Sequence, residues 1–224
     1  MTGGRHFLRW CAVVVAASVV GAPAAIASND ESAEGPYIRG RKKRAEWKYT
    51  FPVAGPDVFF DDYHLNYPAT DLTGCRQTVR APISGLIVDV RKVDNWDPEI
   101  DDPGTRGGLT ITMHGDDFVR YYFSHLGRLM VKRGQRVESG QKIATVGQSG
   151  NARTTLCHLH FGVSRICPQS EQNLRRGEIW PAKYLRAWQR GEQLSPNEEM
   201  RELVRRTPSA CIVAAAAQRR GGDQ

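Results

Sequence analysis

The stretch Leu156–Arg165, LCHLHFGVSR, sets His158 and His160 two positions apart in an apolar run. In an extended strand residues i and i+2 share a face, so both imidazoles point one way and Leu159 and Phe161 the other. Neighbouring imidazoles repel when both are charged, so the pair suits a metal or a division of labour between ligand and proton carrier. Further donors stand elsewhere: His64 and Asp71 in DYHLNYPATDLTG, ahead of a strand, and His125 at the end of RYYFSHL. A catalytic zinc typically takes three protein ligands from nitrogen and oxygen donors and leaves a fourth position open. The chain holds enough donors for one such site, with histidines to spare for proton transfer. His114 fits no such pattern and reads as a surface or turn residue.

These side chains need a β scaffold. From YTFPVAG onward, short β-branched runs alternate with turn signals: TVRAPISGLIVDVRKV, GLTITMHG, VRYYFSHL and RLMVKRGQRVESGQKIATVGQSGNA. That texture predicts an all-β domain built from hairpins. One long connection, Arg91–Gly108, separates two strands and carries Asp94, Asp97, Glu99, Asp101 and Asp102. It lacks the spacing of a calcium-binding EF-hand loop, so it reads as a solvated loop and as one wall of a groove. After the histidine strand, Pro181 can start a short helix with Tyr184, Leu185 and Trp188 on one packing face. SPNEEMRELVRRT opens with a helix N-cap pattern, and the remainder to residue 224 is expected to be a helix and a mobile tail.

With 224 residues, 25% charged and 40% hydrophobic, the chain suits one domain with extensions. The first 27 residues carry Arg5 and Arg9, an apolar run from Cys11 to about Val20, and the small-x-small site Ala25-Ile26-Ala27. This is the pattern of a secretory signal peptide, and the apolar run is too short to span a bilayer comfortably. Residues 28–48 form a polar linker with the basic run RGRKKRAEWK. Export argues against nucleic acid as the target of that run, and no membrane span is expected in the mature form. The chain carries a net charge of +7; losing Arg5 and Arg9, with no acid lost, leaves +5, which suits an anionic surface. Four cysteines follow the signal, and the spacing favours pairing Cys157 with Cys167 across the histidine strand.

The order of HLNYPATD, APISGLIVDV, YYFSHL, VKRGQRVESGQKIATVGQSGNA and CHLHFG resembles the lysostaphin/LytM-type M23 metallopeptidases, which cut peptidoglycan, over roughly residues 50–168. The wording is most similar to secreted actinobacterial members. The resemblance implies a mainly β fold, an antiparallel β-sheet groove of the duplicated hybrid motif type, over residues 49–190, with a short helical extension at 191–224. It implies Zn2+ held by His64, Asp71 and His160, with His125 and His158 as the catalytic pair beside it. The usual first motif has three residues between histidine and aspartate; here six intervene, including Asn66, an alternative donor whose amide is a poorer zinc ligand. No H-E-x-x-H glutamate is present, so proton transfer falls to the histidines.

Two functions are weighed on this footing. One is a secreted zinc endopeptidase cutting stem peptides or cross-bridges of peptidoglycan in the cell envelope, with anionic wall polymers as further partners. The other is a catalytically silent scaffold that binds the wall or activates another hydrolase. The full histidine set favours the first and the long first spacing the second. A lipoyl- or biotinyl-like carrier, suggested by SGQKIA with Lys142, leaves the histidines unexplained.

Overall fold

The computed structural model describes residues 46–65, 67–167 and 177–219. The signal peptide expected at 1–27, and the expected linker up to residue 45, lie outside them. The strands are β1 (Val53–Ala54), β2 (Thr70–Thr73), β3 (Thr78–Arg80), β4 (Gly85–Arg91), β5 (Thr110–Gly115), β6 (Arg120–Ser124), β7 (Leu126–Leu129), β8 (Arg136–Val137), β9 (Lys142–Val146) and β10 (His158–Ser164). A 3-10 turn, Gly150–Thr154, precedes β10, and helices α1 (Ala182–Gln189), α2 (Asn197–Arg206) and α3 (Ala210–Arg219) follow it. The strands form a four-stranded sheet, β1-β3-β9-β7, and a six-stranded sheet, β2-β10-β6-β5-β4-β8. Every ladder between them is antiparallel.

Register sorts the larger sheet into two faces. Directly paired residues share a face, so Leu72–Leu159, Phe161–Phe123, Val163–Tyr121 and Ile111–Phe123 all turn inward. All of them are buried in one apolar core. The alternate residues, Asp71–His160, Thr73–His158, His160–Ser124 and Gly162–Tyr122, share the other face. One strand pattern thus builds a core and a polar groove from the same residues.

The chain beyond β10 belongs to this core. Trp188 of α1 stacks on Tyr49 with ring centres 5.2 Å apart and meets Phe161 edge-on at 6.5 Å. Tyr184, Leu185 and Trp188 are buried, as their shared face predicts. The Ser195 hydroxyl accepts the Asn197 amide at 3.2 Å, which is the capping role expected at the start of α2. Where a helix and a tail are expected, the described residues form two helices, α2 and α3, and Met200 and Asn197 of α2 are buried. Arg165, also buried, forks onto Glu178 at 2.9 Å and donates to the Thr207 carbonyl beyond α2.

The expected Cys157–Cys167 bridge is not formed. Cys157 pairs with Cys75, and Cys167 with Cys211, at Cα separations of 4.9 and 5.5 Å. Strand geometry explains the correction. The seven-residue strand β10 lies between Cys157 and Cys167, and at about 3.3 Å per residue it holds them more than 20 Å apart. Cys157 instead faces the end of β2, where Thr73 pairs with His158.

A buried acid fastens the α2 start to the β5–β6 turn. The Asp117 carboxylate, fully buried, accepts from the hydroxyls of Tyr121 at 2.5 Å and Tyr49 at 3.0 Å, and its carbonyl accepts the Asn197 side-chain amide at 2.6 Å. Burial pushes its carboxyl up to about 6, against the lowering effect of the tyrosine hydrogen bonds. The folded protein therefore binds a proton that the unfolded chain releases near 3.8, so this group favours folding more as pH falls through that window. Asp117→Asn removes the proton uptake and keeps an acceptor. The stability of wild type relative to Asp117→Asn is expected to rise by on the order of 2 kcal/mol between about pH 7 and about pH 4.5, read by urea denaturation.

Candidate active site

The strand register brings the first donors together. Asp71 of β2 lies directly opposite His160 of β10, and His160 Nδ1 donates to Asp71 Oδ1 at 2.8 Å. His158, two residues earlier on the same face, holds Nε2 3.9 Å from Asp71 Oδ2. His64 Nε2 stands 3.8 Å from that same oxygen. One carboxylate thus faces three imidazoles. Burial would raise the Asp71 pKa, but the His160 hydrogen bond and the charges of His160, His158 and His64 hold the carboxyl below its ordinary value.

His64 comes from a segment with no regular structure, and α1 steadies that segment. Arg186 forks onto Asp62 at 2.6 and 2.9 Å and covers the Phe60 ring at 5.0 Å. Tyr63 meets Trp180 edge-on at 5.0 Å; the Phe59 carbonyl accepts the Thr73 amide of β2 at 2.9 Å, and the Phe59 amide donates to the Thr73 hydroxyl at 3.0 Å. The six-residue spacing from His64 to Asp71 therefore does not carry His64 away. The chain turns outward at Leu65, which is 95% exposed. Asn66 lies outside the described residues. Tyr67 folds back, its ring 4.4 Å from His64 and 5.7 Å from His160.

His125 sits where the chain leaves one sheet for the other, between β6 and β7, with φ of 59°. A left-handed backbone costs a non-glycine residue on the order of 1 kcal/mol and persists only where neighbours enforce it. Here the Gly107 carbonyl takes the His125 amide at 2.9 Å, and His125 Nδ1 meets the Ser149 carbonyl at 2.9 Å. His158 Nδ1 likewise meets the Leu156 carbonyl at 2.8 Å. A carbonyl oxygen only accepts, so each Nδ1 carries the proton and Nε2 keeps the lone pair. The two rings lie 4.8 Å apart. Burial, followed by repulsion from His160 and His158, pushes the His125 imidazole down to about 4, so it stays neutral at physiological pH.

All five residues line one groove of about 460 Å³. His114 does not join them; it lies inside β5 rather than in a turn, opposite Leu86 and Arg120. His64, Asp71 and His160 offer ligand atoms within 4.8 Å of one another, two imidazole nitrogens and a carboxylate oxygen. That donor set fits zinc, which favours this mixture at catalytic centres.

The Arg91–Gly108 loop supplies a wall through Pro103, Arg106 and Gly107. Two of its acids, Asp94 and Asp101, are engaged within the protein. Asp94 accepts the Gly150 amide at 2.9 Å and pairs with Arg153, while Asp101 forks onto Arg106 and takes the Trp96 indole N–H. Reasoning from sequence missed Tyr67, Arg106, Tyr122, Ser124, Asn151 and Thr155 as lining residues. Tyr122 and Ser124 were legible in principle, because the alternation in RYYFS puts them on the face opposite Tyr121 and Phe123. The loop residues carry no such periodic signal.

Residues 68–173 match the model of Peptidase family M23. That span takes in Asp71, His125, His158 and His160 and begins after His64. Over 57 residues the chain is 40% identical to the murein hydrolase activator NlpD of Escherichia coli, covering 25% of this chain and 14% of that protein. Over 55 residues it is 38% identical to the peptidoglycan DD-endopeptidase ShyA of Vibrio cholerae, covering 25% and 12%. The matched part is thus a small fraction of these relatives' length. A solved structure from Ruminococcus gnavus, assigned as a glycyl-glycine endopeptidase lytM, superposes with a TM-score of 0.51 at 16% identity, over 65% of this chain and 62% of that one; it shares the fold.

The two walls meet backbone to backbone. Gly150, at φ +68°, lies so close to the loop that a Cβ there would sit 2.0 Å from the Arg106 carbonyl oxygen. Gly150→Ala is expected to destabilise the protein by about 1–3 kcal/mol through left-handed strain and this clash. Limited proteolysis should then cut first within residues 91–108; a variant as resistant and as stable as wild type would refute the packing argument.

Proposed function

We propose, on the footing that residues 68–173 form a Peptidase family M23 domain, that this chain is a zinc-dependent endopeptidase that hydrolyses peptide bonds in peptidoglycan. The observation that carries the reading is the meeting of His64, Asp71, His125, His158 and His160, drawn from three separate segments, in a single groove. A scaffold needs only the surface of this fold. It has no need of a neutral, buried imidazole held in a left-handed turn beside a three-donor cluster.

His64, Asp71 and His160 would hold the zinc. When bound, zinc supplies Lewis acidity toward a peptide carbonyl and lowers the pKa of water toward neutrality. The remaining work falls to the chain. His125 and His158 each hold a proton on Nδ1 against a backbone carbonyl, so Nε2 is the atom that accepts a proton from the attacking water. Once protonated, the same nitrogen can donate to the oxyanion or to the leaving amine. The two roles are not divided between them here. Burial of His125 keeps it ready as a base at neutral pH.

The signal pattern at residues 1–27 supports export to the envelope, where this substrate lies. The net charge of +5 left after removal of that segment suits the anionic polymers of a cell wall. The likeness to a hydrolase activator favours a second reading, in which the same groove binds the wall and cuts nothing.

Metal analysis separates the two. The endopeptidase reading expects about one zinc per chain, lost in His64→Ala and in Asp71→Ala together with peptidoglycan digestion. His125→Ala and His158→Ala should keep the zinc and lose about 10²–10⁴ of the rate. A wild-type chain that stays metal-free in the presence of zinc, and releases nothing from peptidoglycan, would establish the activator reading instead.

A further inference from the structure

Four tyrosines are buried among the described residues: Tyr49, Tyr121, Tyr122 and Tyr184. Three of them tie the hydroxyl to a carboxylate inside the fold, Tyr49 and Tyr121 to Asp117 and Tyr184 to Glu199. Tyr122 departs from that rule. It is 8% exposed, it lines the groove, and among the described residues its hydroxyl has no hydrogen-bond partner. An untied hydroxyl at a buried position is an exception that needs a cause.

The fold fixes where this phenol lies. The β6–β10 register sets Tyr122 on the same face as His160 and Ser124, and its ring centre is 6.5 Å from that of His160 at an interplanar angle of 72°. The Arg120 guanidinium, from the residue two earlier on that face, covers the ring at 5.4 Å. The hydroxyl end abuts the loop wall: a Cβ added at Gly107 would lie 2.5 Å from Tyr122 Oη. Glycine at 107 therefore leaves the space that the phenol oxygen takes. The Gly107 carbonyl accepts the His125 amide at 2.9 Å, so the phenol oxygen stands beside the residue that anchors His125. Tyr122 thus reaches from His160 on the sheet to the wall that holds the second half of the cluster.

A neutral phenol suits a neutral acceptor, and a peptide carries one at every residue, the backbone carbonyl oxygen. We infer that Tyr122 is a substrate-binding residue whose hydroxyl donates to a backbone carbonyl of the peptide lying in the groove. This rests on the reading of the groove as a peptidase site and deepens it. A bond to the backbone reads no side chain. It fixes the register in which the peptide passes the histidine cluster, and so which of its bonds is presented there.

The test uses the full mature chain, a synthetic cross-linked stem peptide, and a set of the same peptide in which each peptide group in turn is made a thioamide. A thioamide keeps the shape and the N–H but replaces the carbonyl oxygen with a weaker acceptor. Equilibrium binding is measured with metal chelated, and cleavage with zinc present. Tyr122→Phe removes one oxygen and keeps the ring, so its zinc content is expected to match wild type. It should bind the parent peptide about three- to tenfold more weakly, the size of one neutral hydrogen bond, and raise KM by the same factor while kcat stays within about twofold. In wild type one thioamide position should weaken binding by about threefold, and that peptide should lose nothing further in Tyr122→Phe. Thermal melts set a temperature at which both proteins are folded. The inference is overturned by a Tyr122→Phe protein that binds the parent peptide as wild type does, by thioamide and mutant losses that multiply at every position, or by a loss confined to kcat. Should the peptide bind and not be cut, the peptidase reading fails on its own, and the binding comparison still decides the role of Tyr122. A peptide that neither binds nor is cut overturns both.

Discussion

The contact on which the site depends is the pairing of Asp71 with His160 across the β2–β10 ladder. Strand register is quantised, and a slip of one residue would turn every side chain of β2 to the other face. Leu72 would then leave the core at the same moment as Asp71 left the groove. The hydrophobic requirement at Leu72 and Leu159, both fully buried, thus enforces the polar alignment beside them. The Cys75–Cys157 bridge closes the same end of the ladder covalently. No separate device is needed to aim the carboxylate at the imidazoles.

The seam between the two sheets supplies the other half of the geometry. His125 marks the crossing from β6 to β7, and His158 also bridges to Gly147 at the end of β9. Side chains at a seam are neither fully in the core nor fully in water. That position accounts for an imidazole kept neutral by burial and a carboxylate kept ionised by its neighbours within one groove.

The parts farthest along the chain reach back to the site. Helix α1 contributes Trp188 to the core and Arg186 to the segment that bears His64. The segment needs this support because it makes few backbone ladders of its own. Helix α2 is fastened through Asn197 and Asp117, and α3 through Cys211. Helix α1 is therefore part of what holds the first histidine, although none of its residues lines the groove.

The amino-acid sequence alone determined the strand texture, the pairing of His158 with His160 on one face, the packing face of α1 and the list of donors from which a metal site could be drawn. These follow from local periodicity, which any short stretch carries within itself. Only the tertiary structure decided which donors meet. The long spacing from His64 to Asp71 looked like an obstacle until the outward turn at Leu65 and the grip of α1 were visible. The cysteine pairing went astray for the same reason, since nearness in sequence means separation in space when a strand intervenes. Contacts between distant segments depend on the sum of all the ladders and turns between them, and no local pattern encodes that sum.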